Sequence, residues 1–208
     1  MTNNYQLFRK YLFNEGIVES KLESYKSDLF FFIILVKRRK DFPEMINIDY
    51  RFKIYYLDNL EDYDKFEKEI KQCCDNFKLR AYLSVNIRSK KEVAKYNLER
   101  SVHNLVINRV GKPWDDFFNT CKNIDPVINK RWVIDVDNFT INSKEVEDII
   151  SIIKECGASI IEVVSTKTGV HIITTCFNED LFKKLYKENK ITLESIKKNN
   201  VTLLYENI

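Results

Sequence analysis

The sequence predicts an α+β protein with an α/β amino-terminal half and a carboxyl-terminal half that runs β-α-β-β. Two observations carry this: short alternating or continuously apolar runs rich in β-branched and aromatic residues, and charged stretches with apolar residues at helical spacing. A third is that the two kinds alternate along the chain, which places strands beside helices in each half.

The first element lies within Leu22 to Val36, which begins helical and becomes a continuous apolar run; Leu29 to Val36 reads as a buried strand. Arg51 to Leu57 (RFKIYYL) alternates and is the next strand. Leu60 to Cys74 then places Leu60, Tyr63, Phe66 and Ile70 on one helical face. A second strand–helix pair follows, with Leu79 to Asn86 (LRAYLSVN) alternating and Lys90 to Val106 carrying Val93, Tyr96, Leu98, Val102 and Leu105. The stretch from Asn108 to Lys130 holds Gly111, Pro113 and Pro126 with little periodicity and reads as a connecting segment.

Beyond it, Arg131 to Asp137 (RWVIDVD) is a strand and Lys144 to Cys156 a helix with Val146, Ile149, Ile150 and Ile153 on one face, stopped by Gly157. Ser159 to Ser165 and Val170 to Cys176 are strands joined by a tight turn at Thr166 to Gly169. A helix near Asp180 to Glu188 and a short strand, Val201 to Tyr205, complete the chain. The expected division is residues 1–107, a connecting segment 108–130 and a module 131–208, or one compact domain overall.

Composition narrows the function. At 208 residues with 44% hydrophobic and 13% aromatic side chains, the chain can bury a core, which excludes a disordered or low-complexity protein. Its 34 basic and 31 acidic residues exclude a uniformly basic nucleic-acid coat, so any such site is a local patch. Five cysteines without a CxxC pair argue against a disulfide framework or structural zinc and for a reducing, cytoplasmic setting. The polar stretch Met1 to Lys10 has no signal-peptide core, and the apolar run Leu29 to Val36 is far shorter than the roughly 20 residues of a spanning helix, so no membrane role is expected.

Two motifs carry chemistry. Asp135 and Asp137 stand at i and i+2 of an apolar strand, so both carboxylates project to one face, where a divalent cation relieves their repulsion. On that reading Asp135→Ala leaves folding nearly intact. The alternative is a strand end and turn, with Asp137 and Asn138 as turn formers. The second motif is the turn before His171: Ser165, Thr166, Lys167, Thr168 and Gly169 offer hydroxyls, an ammonium and a glycine able to take positive φ, a cradle for an anion. Without that turn before it, His171 reads first as a hydrogen-bonded structural histidine.

Together these segments resemble the first two motifs of the archaeo-eukaryotic primase superfamily. The first is written apolar-Asp-apolar-Asp and is matched by Ile134, Asp135, Val136 and Asp137. The second is commonly Ser-Gly-basic-x-Gly-apolar-His, matched by Ser165, Lys167, Gly169, Val170 and His171, with Thr166 in place of the usual Gly. The resemblance spans Trp132 to Asn178. It implies a primase-like fold with an RRM-like βαββ catalytic core and a nucleotidyl transferase that joins nucleotides on a single-stranded template.

It further implies Mg²⁺ or Mn²⁺ on Asp135 and Asp137. Ser165, Lys167, Thr168 and Gly169 would bind nucleoside triphosphate, with His171 catalytic beside them. The family's third motif supplies another acidic ligand, for which Glu206 after Leu203-Leu204-Tyr205 is the best-placed candidate and Asp180 the next. Implied partners are nucleoside triphosphates, single-stranded DNA or RNA and a replication partner such as a helicase. A small stand-alone chain of this kind suits a virus or mobile element, and then the host cytoplasm. Two other functions use the same residues: a non-catalytic nucleotide or single-strand binding module, with Tyr55, Tyr56 and Tyr82 stacking bases, and a metal-dependent nuclease. Finally, Lys37 to Lys40 with Arg80, Arg88, Lys90 and Lys91 are expected to form one basic stripe if their strands are neighbours.

Overall fold

A computed structural model of the protein describes residues 1–14, 28–44, 49–107, 113–126, 130–188, 195–198 and 200–207. The helical start expected over residues 22–27 and parts of the expected connecting segment, residues 108–112 and 127–129, lie outside the described residues. The fold is mixed α+β, with two antiparallel sheets and, among the described residues, six α-helices.

Strand β2 (Leu29–Lys37) is an interior strand of the first sheet, and its sequence explains why. Phe31, Ile33 and Leu35 point to one apolar layer while Phe30, Phe32, Ile34 and Val36 point to another, so the strand is buried on both faces and shows no alternation. Its neighbours are β3 (Tyr50–Leu57) on one side and β4 (Arg80–Ser84) on the other, and β5 (Arg88–Ser89) pairs with its beginning. Helices α1 (Tyr5–Asn14) and α2 (Leu60–Phe77) cover one face, with Phe8, Leu12, Tyr63 and Ile70 buried there. Helices α3 (Lys90–Val106) and α4 (Pro113–Asn123) cover the other through Val93, Phe117, Phe118 and Cys121. Asn59 and Ser89 cap α2 and α3 by accepting from the N–H groups of Asp62 and Glu92.

The second sheet is built from β6 (Arg131–Asp137), β7 (Ile160–Ser165), β8 (Gly169–Thr175) and β9 (Ser195–Lys197), in the order β7-β8-β6-β9. With α5 (Lys144–Glu155) and α6 (Glu179–Glu188) the connectivity is βαββαβ, the third strand lying between the first two. Ile134, Val136, Val170 and Ile172 face these helices, meeting Val146, Ile149, Ile153 and Phe182. Because strand side chains alternate, Val133, Asp135 and Asp137 face the other way, and Val133, Val164 and Ile173 join the core of the first sheet. The two sheets therefore share a core.

Three parts of the expected organisation change. The last strand, β10 (Val201–Glu206), is not part of the second module: it inserts into the first sheet between β4 and β1 (Thr2–Asn3), giving the order β1-β10-β4-β2-β3. The segment expected to be a connector contains α4, whose Phe117 and Phe118 bury against β2. Helix α1 and strand β9 also stand outside the elements expected from the sequence. No helix among the described residues is long and apolar enough to cross a membrane.

Candidate functional site

Asp135 and His171 are paired across β6 and β8, so both side chains stand on the face directed at the first sheet. His171 Nε2 lies 3.1 Å from Asp135 Oδ1, and the Lys197 ammonium, brought by β9, contacts Oδ2. The other ring nitrogen, Nδ1, is 2.9 Å from Thr202 Oγ1 of β10. A carboxylate only accepts, so Nε2 carries the proton; in the neutral ring Nδ1 then accepts from the Thr202 hydroxyl. Burial by itself would raise the Asp135 pKa, but the hydrogen bonds and charges of His171 and Lys197 outweigh it and hold the carboxylate well below its usual range. His171 is only 6% exposed with both nitrogens engaged, so its ring is fixed against Asp135.

The turn between β7 and β8 is closed by its own groups. Thr166 N–H donates to the Gly169 carbonyl at 2.8 Å, and Gly169 N–H donates to Thr166 Oγ1 at 3.0 Å. Gly169 does not take the expected positive φ, and it and Thr166 spend their N–H groups within the turn; glycine is needed there for another reason. A Cβ at Gly169 would sit 2.0 Å from the Val136 carbonyl oxygen, so the turn packs against β6 at a distance no side chain permits. Asn138, in the left-handed region at φ 68°, completes the docking by donating its N–H to the Thr168 carbonyl at 2.6 Å. Thr168 Oγ1 donates to Asp137 Oδ1 at 3.2 Å, which brings Thr168 and Asp137 together. Ser165 is not brought to Asp137: it pairs with Val170 on the helix-facing side, its carbonyl accepts from the Asn4 side-chain amide, and with Lys167, Thr168 and Gly169 it lines a separate pocket beside residues 138–142.

Between the sheets lies a cavity of about 350 Å³. Ile34, Val36, Tyr82 and Leu203 of the first sheet form its apolar floor, and Asp135, Asp137, His171 and Lys197 of the second face them. Arg38, Lys40, Arg51, Arg80 and Lys167 add to Lys197, so among the described residues six permanent cations line it against the three carboxylates Asp49, Asp135 and Asp137. All three arginines are held by neighbours. Arg38 donates to the Tyr82 hydroxyl at 2.9 Å and pairs with Asp49 at 2.8 Å, while the Arg51 guanidinium lies 4.6 Å from the Phe118 ring centroid. Arg80 makes a two-pronged contact with Asp41 of the 3₁₀ turn Arg39–Asp41, at 2.8 and 2.5 Å, and Lys167 Nζ reaches the same carboxylate at 3.3 Å. Burial would raise the Asp41 pKa; the two cations bring it below the ordinary value. Asp41 is thereby a clasp from the first sheet onto the turn of the second.

The expected basic stripe divides. Val36 pairs with Arg80, so the end of β2 delivers Arg38 and Lys40 to the same cavity as Arg80. Arg88 instead pairs with Phe30 at the far end of β2, buried, its Nε donating to the Cys121 carbonyl. Of the proposed stacking tyrosines, Tyr55 is buried with its hydroxyl on Glu69, Tyr56 is 46% exposed, and Tyr82 floors the cavity. Arg51, Asp41 and Lys197 join the site without having been singled out from the sequence; for Arg51 the signal was a charge near the start of an alternating strand, whereas Asp41 and the three-residue strand of Lys197 carry none.

Glu206 is not a third ligand beside the aspartates. It lies in the first sheet, its Oε2 3.2 Å from Arg80 Nε and its Oε1 accepting from Thr2 Oγ1. Asp180 opens α6, on the opposite side of the second sheet. Among the described residues no three His, Cys, Asp or Glu side chains converge as a metal site. No family model, curated protein or solved structure matches the chain.

Proposed function

We propose that the chain is a primase-like nucleotidyl transferase that takes the triphosphate of an incoming nucleotide into the cavity between its sheets and joins nucleotides on a single-stranded template. One observation carries the reading: Asp135, Asp137, His171 and Lys167, on which the resemblance rests, open onto the same cavity as Arg38, Arg51 and Arg80 from the other sheet. The connectivity supports it as well, since the acid pair is on the first strand of a βαββαβ unit and the Lys167 turn joins the second and third, the arrangement expected of an RRM-like core.

Guanidinium forks match phosphate oxygens in pairs, and an ammonium acts as a point charge, so Arg51 and Arg80 grip the triphosphate while Lys167 adds charge at the rim. His171 keeps Asp135 turned toward the cavity, and Thr202 keeps His171 in place. Lys197 can turn from Asp135 to the phosphates, exchanging one anion for another. Magnesium is commonly bound through one or two carboxylates plus the substrate's phosphates, and Asp135 with Asp137 fit that donor set once Lys197 has turned; Mn²⁺ suits the same oxygens. When bound, such an ion offsets phosphate charge and lowers the pKa of the attacking hydroxyl.

A second reading is favoured by one observation. The Lys197 ammonium already neutralises Asp135, as it would in a module that binds nucleotide without transferring it. Incorporation of labelled nucleotide on a single-stranded template, run with Mg²⁺, Mn²⁺ and EDTA beside nucleotide binding, separates the two. Metal-dependent incorporation that Asp137→Ala abolishes is expected; binding without incorporation selects the second reading, and cleavage of the template selects a nuclease.

A further inference from the structure

An aromatic cluster stands open at the start of β3, on the α2 side of the first sheet. Tyr50, Phe52 and Phe77 are 59%, 41% and 52% exposed, and the rings of Phe52 and Phe77 stack with centroids 5.2 Å apart and 29° between planes. With Lys37 and Lys78 they line a groove of about 440 Å³.

The backbone explains the exposure. β3 is the outer strand of its sheet, and its register with β2 shifts between Leu35 and Val36, so that Lys53 opposes Leu35, Arg51 opposes Val36 and Phe52 is the unpaired extra residue. Arg51 therefore reaches the cavity while Phe52 leans on Phe77 at the end of α2. Lys37 stands opposite Tyr50, and Lys78, held at φ 54° as the α2 cap, follows Phe77 directly.

Single exposed aromatics are ordinary, but three around one groove mark a binding surface. Its charge selects the occupant. Among the described residues two ammoniums and no carboxylate line the groove. In a two-fold contact between copies the same patch meets itself, which would set lysine against lysine. A chain that alternates flat apolar faces with negative charge meets both features at once.

We propose that this groove binds single-stranded nucleic acid, its bases stacking on Tyr50, Phe52 and Phe77 and its phosphates meeting Lys37 and Lys78. The proposal rests on the transferase reading only in calling that strand the template. Its path is set by the end of β2, where Arg39 and Lys40 lead from Lys37 to the rim of the cavity.

The test uses the full chain, fluorescence anisotropy with labelled oligothymidylate and oligouridylate, and binding of a fluorescent ATP analogue measured separately. Phe52→Ala with Phe77→Ala should weaken oligonucleotide binding by about tenfold or more while leaving the salt dependence unchanged. Lys37→Ala with Lys78→Ala should weaken it too and flatten the slope of log affinity against log salt by roughly 1 to 1.5. Phe52→Tyr with Phe77→Tyr should retain affinity, and nucleotide binding should be the same in all three. Similar losses for both oligomers keep the stacking account, and a loss confined to one names the strand type. Unchanged oligonucleotide affinity in the folded double alanine variant would overturn the proposal, as would loss of self-association in its place, which would give the groove to a second copy. Failure of the unaltered chain to bind the ATP analogue would instead sink the function proposed for the cavity and leave the groove standing.

Discussion

His171 and Asp135 stand directly opposite each other on neighbouring strands, ring nitrogen to carboxylate oxygen, on the face of their sheet that looks toward the other sheet. This pairing changes what a substitution at the acid does. Removing Asp135 leaves the His171 N–H and the Lys197 ammonium without their acceptor, which outweighs relief of repulsion from Asp137. Asp135→Ala should therefore cost roughly 1–3 kcal/mol at neutral pH, measured by urea unfolding.

The same pair sets an acid limit. The folded-state pKa of Asp135 is depressed, so its contribution is fully present above the unfolded value of about 4 and is lost as pH falls below it. Thermal melts between pH 6 and pH 2.5, roughly the span over which a carboxyl titrates, should show stability falling toward acid, with a shallower fall in Asp135→Asn. Parallel curves for the two proteins would remove Asp135 from the acid response.

Gly169→Ala should be among the most damaging single changes in the second sheet. The added methyl would sit 2.0 Å from the Val136 carbonyl oxygen, and the backbone rather than a flexible side chain would have to move. A loss of roughly 3 kcal/mol or more is expected, at the upper end of overpacking costs. A melt within a degree or two of the parent's, on the order of a neutral surface change, would mean the two strands separate cheaply.

Asp41→Asn should loosen the protein and tighten its ligand. The carboxylate holds Arg80 and Lys167 together, so its loss frees Lys167 and leaves Arg80 with Glu206 alone, turning charge toward phosphate while unclasping the turn from the first sheet. Affinity for nucleoside triphosphate should rise by several-fold, on the order of 1 kcal/mol, as stability falls by a similar amount. Weaker nucleotide binding would show that the clasp orders the cavity instead of competing for it.

Lys197→Ala should shift the balance from ammonium to divalent ion. Without its partner Asp135 presents a free oxygen, and the Mn²⁺ concentration for half-maximal nucleotide binding should drop roughly fivefold, equivalent to ~1 kcal/mol. In EDTA the same variant should bind nucleotide more weakly than the parent. An unchanged Mn²⁺ requirement would mean that the ion, if one binds, avoids Asp135.

The elements legible in the sequence are those whose periodicity is local: β2 from its unbroken apolar run, α3 and β6 at their observed bounds, α5 and the β7–β8 hairpin within a residue or two. Strand β9 was not legible because Ser195–Lys197 is too short to show a period, and with it went Lys197, whose partner is 62 residues away. The place of β10 was equally hidden, since alternation marks a strand without naming its neighbour. Arg38, Lys40 and Arg80 are legible only as strand-end charges: Arg80 opens an apolar strand, and only its pairing with Val36 brings it to Arg38. Glu206 was misplaced for the same reason.

The insertion of β10 between β1 and β4 ties assembly of the cavity to the last strand of the chain, which should make it a late event in folding. Until residues 201–206 dock, the first sheet lacks the strand joining β1 to β4, and His171 lacks the Thr202 hydroxyl that holds its ring. Thr2 and Glu206 pair across nearly the whole sequence, a contact of the highest order, which places closure among the slow, non-local steps. A chain shortened before Val201 would lose the first sheet's continuity as well as its last strand. The two sheets should accordingly unfold in one cooperative transition, and neither half should serve as a stand-alone fragment for dissecting the other.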